Sequence, residues 1–309
     1  MKNRWKTLAI GAALGLVLGS LAGCAEKAET SASTSAAPDQ LHIAVIPKGT
    51  AHEFWKSVAA GAQKAGEDLG VRVTFKGPQN ENDRDSQIST VQDFVIQKVD
   101  GIVLAPLDDA ALRQPVTEAQ DAGIPVLIID SDLRDVETVS FVATDNREGG
   151  KVAGMHLARE LEGKGRVVML RYQEGSASTT QREEGFLDAM KEHPGITVVS
   201  SNLFAGATVE KAQAASENLL SPLKSANGSL SIDGIFCPNE SSTFGMLRVL
   251  QDNAWAGKVK FVGFDASTKL VEGLRSGDIN ALVVQNPFNM GYLGVKSMVQ
   301  HLKKETVEK

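Results

Sequence analysis

From residue 41 onward, short apolar runs rich in β-branched residues alternate with longer stretches whose apolar positions return at helical spacing. The runs predict strands at Leu41 to Ile46, Val71 to Phe75, Gly101 to Ala105, Pro125 to Ile129, Val139 to Ala143, Arg166 to Leu170, Ile196 to Ser200, Asp233 to Cys237, Val259 to Phe264 and Ala281 to Val284. Several are apolar at consecutive positions, as strands buried on both faces of a parallel sheet require. Between them, Val58, Ala62, Ala65 and Leu69 recur at helical spacing, and so do Ile88, Val91, Val95 and Val99, each set laying one apolar stripe on a sheet. Repeated βαβ units of this kind predict a doubly wound α/β fold. Two sheets suit the length better than one very wide one, with the break near Thr144-Asp145, where a strand ends and a helix restarts at Asn146. Two lobes then face a cleft.

The first forty residues follow another pattern. Lys2, Arg4 and Lys6 precede an apolar run from Leu8 to Leu18, and then comes Leu21-Ala22-Gly23-Cys24. The run is too short to span a membrane and has the layout of an export signal. The tetrapeptide resembles the bacterial lipobox, which implies cleavage after residue 23 and a lipidated Cys24 as first mature residue. The expected location is therefore the periplasm or the cell surface, with a lipid anchor in the membrane. The stretch to residue 40 is small and polar and should act as a flexible tether. The remaining cysteine, Cys237, has no intrachain partner and is expected as a buried strand residue.

At 309 residues, 42% hydrophobic and 23% charged, the chain has material for about two packed domains. Its net charge of -6 would become -9 on losing the three leader cations, so polyanions are repelled and nucleic acid is not an expected partner. In open parallel sheets ligands bind beyond the carboxyl ends of the strands. There the chain offers Lys48, Asp108, Asp130, Tyr172, Asn239, Asp265 and Gln285, planar and charged hydrogen-bonding groups of the kind that sugar hydroxyls need.

Ordered blocks along the chain add a resemblance. Glu53-Phe54-Trp55-Lys56-Ser57 before Gly61-Ala62-Gln63, Asp130 at a strand end, Thr144-Asp145-Asn146 before Gly149-Gly150, Arg182-Glu183-Glu184-Gly185-Phe186, Pro238-Asn239-Glu240, Gly263-Phe264-Asp265 and Gln285 together resemble the type I periplasmic sugar-binding proteins typified by the ribose-binding protein. The likeness runs from about Ile43 to Leu302. It implies two lobes joined by a hinge, residues 41–144 with 286–309 and residues 145–285, which close on a monosaccharide and deliver it to an ABC transporter permease. It places sugar contacts on His52 (usually Asn in the family), Phe54, Trp55, Asp130, Arg182, Asn239, Phe264, Asp265 and Gln285, with the two aromatics facing the apolar side of the ring.

Lys48 and Ser131 join the candidates as departures: Lys48 replaces a small hydroxyl residue, and Ser131 stands where the ribose-binding protein has Arg. Ile46-Pro47-Lys48 and Asp130-Ser131-Asp132 look instead like the branch that binds rhamnose or a furanosyl quorum signal. An unpaired buried guanidinium is costly, so Arg182 in the cleft would need Asp130, Asp265 or the sugar beside it. The family usually carries one more strand after the helix ending near Leu302, a third crossing between lobes, and this chain ends at Lys309.

Other chemistries lack their signatures. There is no G-x-S-x-G elbow, no second His for the helix at His52, no phosphate-loop Lys-Ser/Thr after Gly66 and no helix-turn-helix at the start. Asp130 to Asp135 lacks the glycine and distal Glu of a calcium loop. A non-enzymatic, cofactor-free and metal-free monomer is expected. The rival reading is a sensory protein that presents its ligand to a chemoreceptor or histidine kinase.

Overall fold

The computed structural model describes residues 40–308. The export signal, Cys24 and residues 25–39 of the tether lie outside them. Among the described residues no helix is long and apolar enough to cross a membrane.

Five strands form the first sheet: β1 (His42–Ile46), β2 (Arg72–Phe75), β3 (Gly101–Leu104), β4 (Val126–Ile129) and β5 (Phe141–Val142), in the order β2-β1-β3-β4-β5. The second sheet has β6 (Lys164–Arg171), β7 (Gly195–Phe204), β8 (Gly234–Phe236), β9 (Lys260–Phe264) and β10 (Ala281–Val283), in the order β10-β9-β8-β6-β7. Every pairing in both is parallel. All ten predicted runs are strands, although β5 shrinks to two residues and β7 continues four residues past Ser200 to Phe204.

The helices are α1 (Glu53–Leu69), α2 (Arg84–Ile96), α3 (Arg113–Asp121), α4 (Asn146–Glu160), α5 (Ala177–Lys191), α6 (Val209–Leu220), α7 (Glu240–Asp252), α8 (Thr268–Ser276) and α9 (Pro287–Leu302). Local signals set their limits. Asp83, Asp145 and Asn239 cap α2, α4 and α7 by accepting from Ser86, Glu148 and Ser242 backbone N–H groups, and Gly70 ends α1 in the left-handed conformation. The stripe through Val99 outruns its helix: α2 stops at Ile96, and the chain turns at left-handed Lys98 before burying Val99.

Each sheet is covered on both faces. In the first lobe, Ile43, Val45, Val103, Leu127 and Ile129 pack with α1 and α9, while Ala44, Ile46, Ile102, Leu104 and Ile128 pack with α2 and α3. In the second, Val167, Met169, Phe236 and Val262 face α4 and α5, and Val168, Ile235 and Phe261 face the side of α6 and α7. The strands β1, β3 and β4 are buried at every position, which is why they read as unbroken apolar runs.

The helix α9 follows a strand of the second sheet yet packs on the first, against α1, β3 and β4. Glycines permit this approach. A β-carbon on Gly61 would lie 1.8 Å from the Phe288 carbonyl oxygen, and one on Gly291 would lie 2.1 Å from that of Val58. The second lobe repeats the device between α4 and α5, where β-carbons on Gly150 and Gly185 would lie 1.9 and 2.0 Å from the carbonyl oxygens of Arg182 and Arg147.

The chain passes between the lobes at residues 143–145 and 284–286. The Thr144 hydroxyl donates to Gln285 Oε1 at 2.9 Å and ties the two passages together. Among the described residues no strand follows α9; the Ser140 hydroxyl beside β5 donates to the carbonyl of Glu308. Cys237 is buried at the end of β8.

Gly61→Ala should lower the urea midpoint with an unchanged slope. Overpacking against a fixed carbonyl costs ~1–3 kcal/mol or more, which outweighs the ~1 kcal/mol helix-propensity gain of alanine. A wild-type midpoint would show that α1 and α9 do not meet this closely.

Candidate ligand site between the lobes

The carboxyl ends of the two sheets face each other across a small hollow of about 30 Å³, measured to the centre of a water molecule. Residues of both lobes line it, so a molecule held there touches both lobes at once.

Asp130 and Asp265 occupy matching places in the two lobes. Each directly follows a strand, β4 or β9, and each is left-handed, with φ of 65° and 72°. Aspartate is among the few non-glycine residues that tolerate this region. Each backbone N–H still joins its sheet, Asp130 to Val142 O at 3.1 Å and Asp265 to Val283 O at 2.8 Å. The side chains line the hollow from opposite sides.

In the first lobe Lys48 is buried, ion-pairs with Asp130 Oδ2 at 2.9 Å and donates across the cleft to the hydroxyls of Ser178 at 3.0 Å and Ser176 at 3.4 Å. Three partners account for its three protons. Beside it lies Glu81, whose carboxylate meets His52 Nδ1 at 2.8 Å, the Trp55 indole N–H at 2.7 Å and, from the second lobe, the Tyr172 hydroxyl at 2.8 Å. Burial would neutralise Glu81, but the charges of His52 and Lys48 and the bonds from His52 and Trp55 hold it down at about 2. Burial likewise disfavours the His52 cation, and Glu81, with Glu240 and Asp265 further off, overcomes this and raises it to about 9. Burial and the neighbouring Glu81 push the Tyr172 phenol well up, so it stays a donor.

In the second lobe the Arg182 guanidinium donates from Nε to Asn146 Oδ1 at 2.8 Å and from Nη1 to the Pro238 carbonyl at 2.9 Å, and lies 4.0 Å over the Phe264 ring. Burial lowers its pKa, and Asp265 and Asp130 oppose this through space. The neutral oxygens of Asn146 and Pro238 thus hold Arg182 directly. Asp265 accepts from Gln285 Nε2 at 2.7 Å and from the Glu240 backbone N–H at 2.9 Å. Burial raises its carboxyl, and Arg182 and Gln285 pull it back. Asn239 spends its carbonyl oxygen on capping α7 and one amide proton on Ser241 at 3.2 Å.

Of the residues singled out in the sequence, Lys48, His52, Phe54, Trp55, Asp130, Arg182, Asn239, Asp265 and Gln285 border the hollow. Phe264 and Ser131 do not. Phe264 backs the guanidinium, and the Ser131 hydroxyl oxygen lies underneath, accepting from the Ser178 backbone N–H at 3.0 Å. Trp55 is largely a core residue packed with Ile43 and Val45, and Phe54 meets it edge-on at 4.9 Å. Asp108, a strand-end residue, turns away to cap Ala110 and Ala111 and to pair with Arg84.

Sequence reasoning did not single out Glu81, Ser178, Thr179 and Glu240 as site residues. Glu81 comes six residues after β2 ends, beyond the reach of any strand-end rule. Glu240 was readable: it follows Asn239 as the first residue of α7.

Glu240 also takes part in an exchange across the cleft. Its two carboxylate oxygens accept the Glu53 and Phe54 backbone N–H groups at 3.2 and 3.0 Å, at the start of α1. Glu53 in turn accepts the backbone N–H of Thr268 at 2.9 Å and its hydroxyl at 3.2 Å, at the start of α8. Neither α1 nor α8 has a side-chain cap of its own. Each first turn is capped by a carboxylate from the opposite lobe.

Residues 43–306 match the family described as the periplasmic binding protein domain. The chain belongs to this family. It is 30% identical to the D-ribose/D-allose-binding protein of Pseudomonas aeruginosa over 93% of this chain and 90% of the relative, and 28% identical to the ribose import binding protein of Haemophilus influenzae over 90% and 91%. Among solved structures, a carbohydrate transporter solute binding protein from Agrobacterium radiobacter in complex with D-arabinose shares 35% identity with a TM-score of 0.82, covering 88% of this chain and 92% of its own. An ABC transporter solute binding protein from Agrobacterium vitis with bound D-fucose shares 35% identity with a TM-score of 0.81, over 87% and 91%.

The Glu81–His52 pair makes stability depend on pH at both ends. Glu81 is depressed on folding, so its contribution is present above the unfolded carboxylate value and fades as pH falls toward about 2. His52 is raised, so its contribution is complete below ~6.5 and is lost as pH climbs through about 9. Melting temperature against pH should therefore decline on the alkaline side between those two values, and His52→Asn should flatten that decline. An unaltered alkaline limb in the variant would show that His52 does not carry it.

Proposed function

We propose that this protein is an extracytoplasmic solute-binding protein that captures one monosaccharide between its lobes and presents it, closed, to an ABC transporter permease. The observation that carries the reading is the division of the hollow. Lys48, His52, Glu81 and Asp130 wall it from the first lobe, and Arg182, Asn239 and Asp265 from the second. A ligand that touches both walls at once binds the closed arrangement better than the open one and shifts the population toward it.

Anionic and cationic groups alternate around the hollow, and many of their hydrogen-bonding sites are already taken by protein partners. Such a wall suits a neutral molecule with both donors and acceptors, and the small volume suits a single sugar ring. The relatives support this class by what they bind: D-ribose and D-allose, D-arabinose, D-fucose. We assign the ligand contacts to Lys48, His52, Phe54, Trp55, Asp130, Arg182, Asn239, Asp265 and Gln285, with Ser131 and Phe264 acting through Ser178 and Arg182. The lobes are divided at residues 144/145 and 285/286. Binding requires no catalytic step, and a dissociation constant of ~1 μM, roughly -8 kcal/mol, is within reach of a few polar contacts and one ring face.

Thermal-shift screening against pentoses, hexoses, deoxyhexoses and polyols should raise the melting temperature with at least one member. Arg182→Ala and Asp265→Ala should each weaken that ligand by ~2–5 kcal/mol by stranding buried partners, read by calorimetry; wild-type affinity in either variant removes the residue from the site. For the anchor assigned to Cys24, Cys24→Ala should leave binding unchanged and move the protein from the membrane to the soluble fraction of cells. Retention on membranes would end the lipobox reading.

A further inference from the structure

Glu81 stands apart from the other residues of the hollow. It is on no strand end, its side chain is buried, and its carboxylate accepts from His52 Nδ1, the Trp55 indole and the Tyr172 hydroxyl, while its backbone carbonyl accepts from Gln173 Nε2 at 2.8 Å. The first two partners belong to the first lobe and the last two to the second. The His52 ring is thereby fixed through Nδ1. It borders the hollow, and its Nε2 has no hydrogen-bond partner among the described residues.

We propose that Glu81 is a positioning residue for ligand capture: its carboxylate, held against His52 Nδ1–H, fixes the ring and favours its cationic form, so that Nε2–H is a hydrogen-bond donor at the wall of the hollow. The inference rests on the reading of that hollow as a sugar site and adds to it a specific role for one wall.

The chemistry follows from the imidazole. A neutral ring held by Nδ1–H would offer Nε2 as an acceptor, whereas the cation offers a donor. Which of these the ligand meets depends on the charges around the ring. Glu81 from the loop after β2, Glu240 from α7 and Asp265 after β9 favour the proton; burial opposes it, and the cationic Lys48 on the same wall and Arg182 on the second-lobe wall border the same hollow. Asp130 is paired with Lys48, and Tyr172 donates to Glu81. Among the described residues Glu81 is the one carboxylate paired directly with the ring, and His52 is raised to about 9 with it in place. A donor at this position selects an acceptor oxygen on the ligand, such as a ring oxygen or a hydroxyl lone pair, and does so throughout the neutral range.

The test uses the full chain, Glu81→Gln and His52→Asn. Ring ¹⁵N chemical shifts, with His52 identified by its loss in His52→Asn, should show the wild-type ring doubly protonated through pH 8 and the Glu81→Gln ring titrating at least two pH units lower. Calorimetry with D-ribose, D-allose and D-arabinose should give a wild-type affinity that is level from pH 6 to 8, a Glu81→Gln affinity at least tenfold weaker at pH 8 than at pH 6, and a level profile for His52→Asn. A wild-type ring that titrates at its ordinary value near 6.5 overturns the proposal, and needs no variant to fold. So does a folded Glu81→Gln protein whose ring titration is unmoved or whose affinity is level. If the ring titrates as stated and none of the three sugars binds the wild-type protein, the placement of His52 by Glu81 stands and the assignment of these sugars to the hollow falls.

Discussion

A charge cannot be withdrawn from water without a partner, and the interior between these lobes holds several. Lys48, His52 and Arg182 share one hollow with Glu81, Asp130 and Asp265. Each is answered: Lys48 by Asp130 and two serines, Glu81 by three donors, Arg182 by two neutral oxygens and a ring face. Several of the answering groups sit on the opposite lobe, Ser176 and Ser178 for Lys48 and Tyr172 for Glu81. Closure is therefore a condition for burying these charges at modest cost. Opening returns them to water, which serves them as well, so the two arrangements can lie close in free energy and a ligand can tip the balance.

The fold could be read in the sequence because parallel strands covered on both faces leave unbroken apolar runs, as His42 to Ile46 and Val126 to Ile129 show. Thr144-Asp145 marked the first passage because Asp145 is a helix cap, a local signal. Short-range signals fail where tertiary contacts decide. Val99 keeps the helical spacing of α2 after the helix has ended, because the bend at Lys98 returns it to the core.

The lining of the hollow was legible where a strand delivers the residue. Asp130, Asn239 and Asp265 follow their strands closely and reach the hollow. Phe264 stands one residue earlier, and strand alternation turns it to the opposite face from Asp265's neighbourhood, behind Arg182. Ser131 is drawn under the hollow by the left-handed turn at Asp130. Glu81 comes from an irregular loop whose path depends on the second lobe, through Tyr172 and Gln173. No pattern within its own segment could show that.

The packing of α9 has a consequence for biosynthesis. Residues 146–283 form the second lobe from one uninterrupted stretch, so all its partners are in place once that stretch has been made. The first lobe begins earlier and ends later: the apolar face of β1, β3 and β4 that α1 covers in part is completed by α9, with Val295, Met298 and Val299 as its contribution. On a ribosome this half remains unfinished until α9 has been made, with part of its sticky side bare. The half that is translated first is the half that matures last.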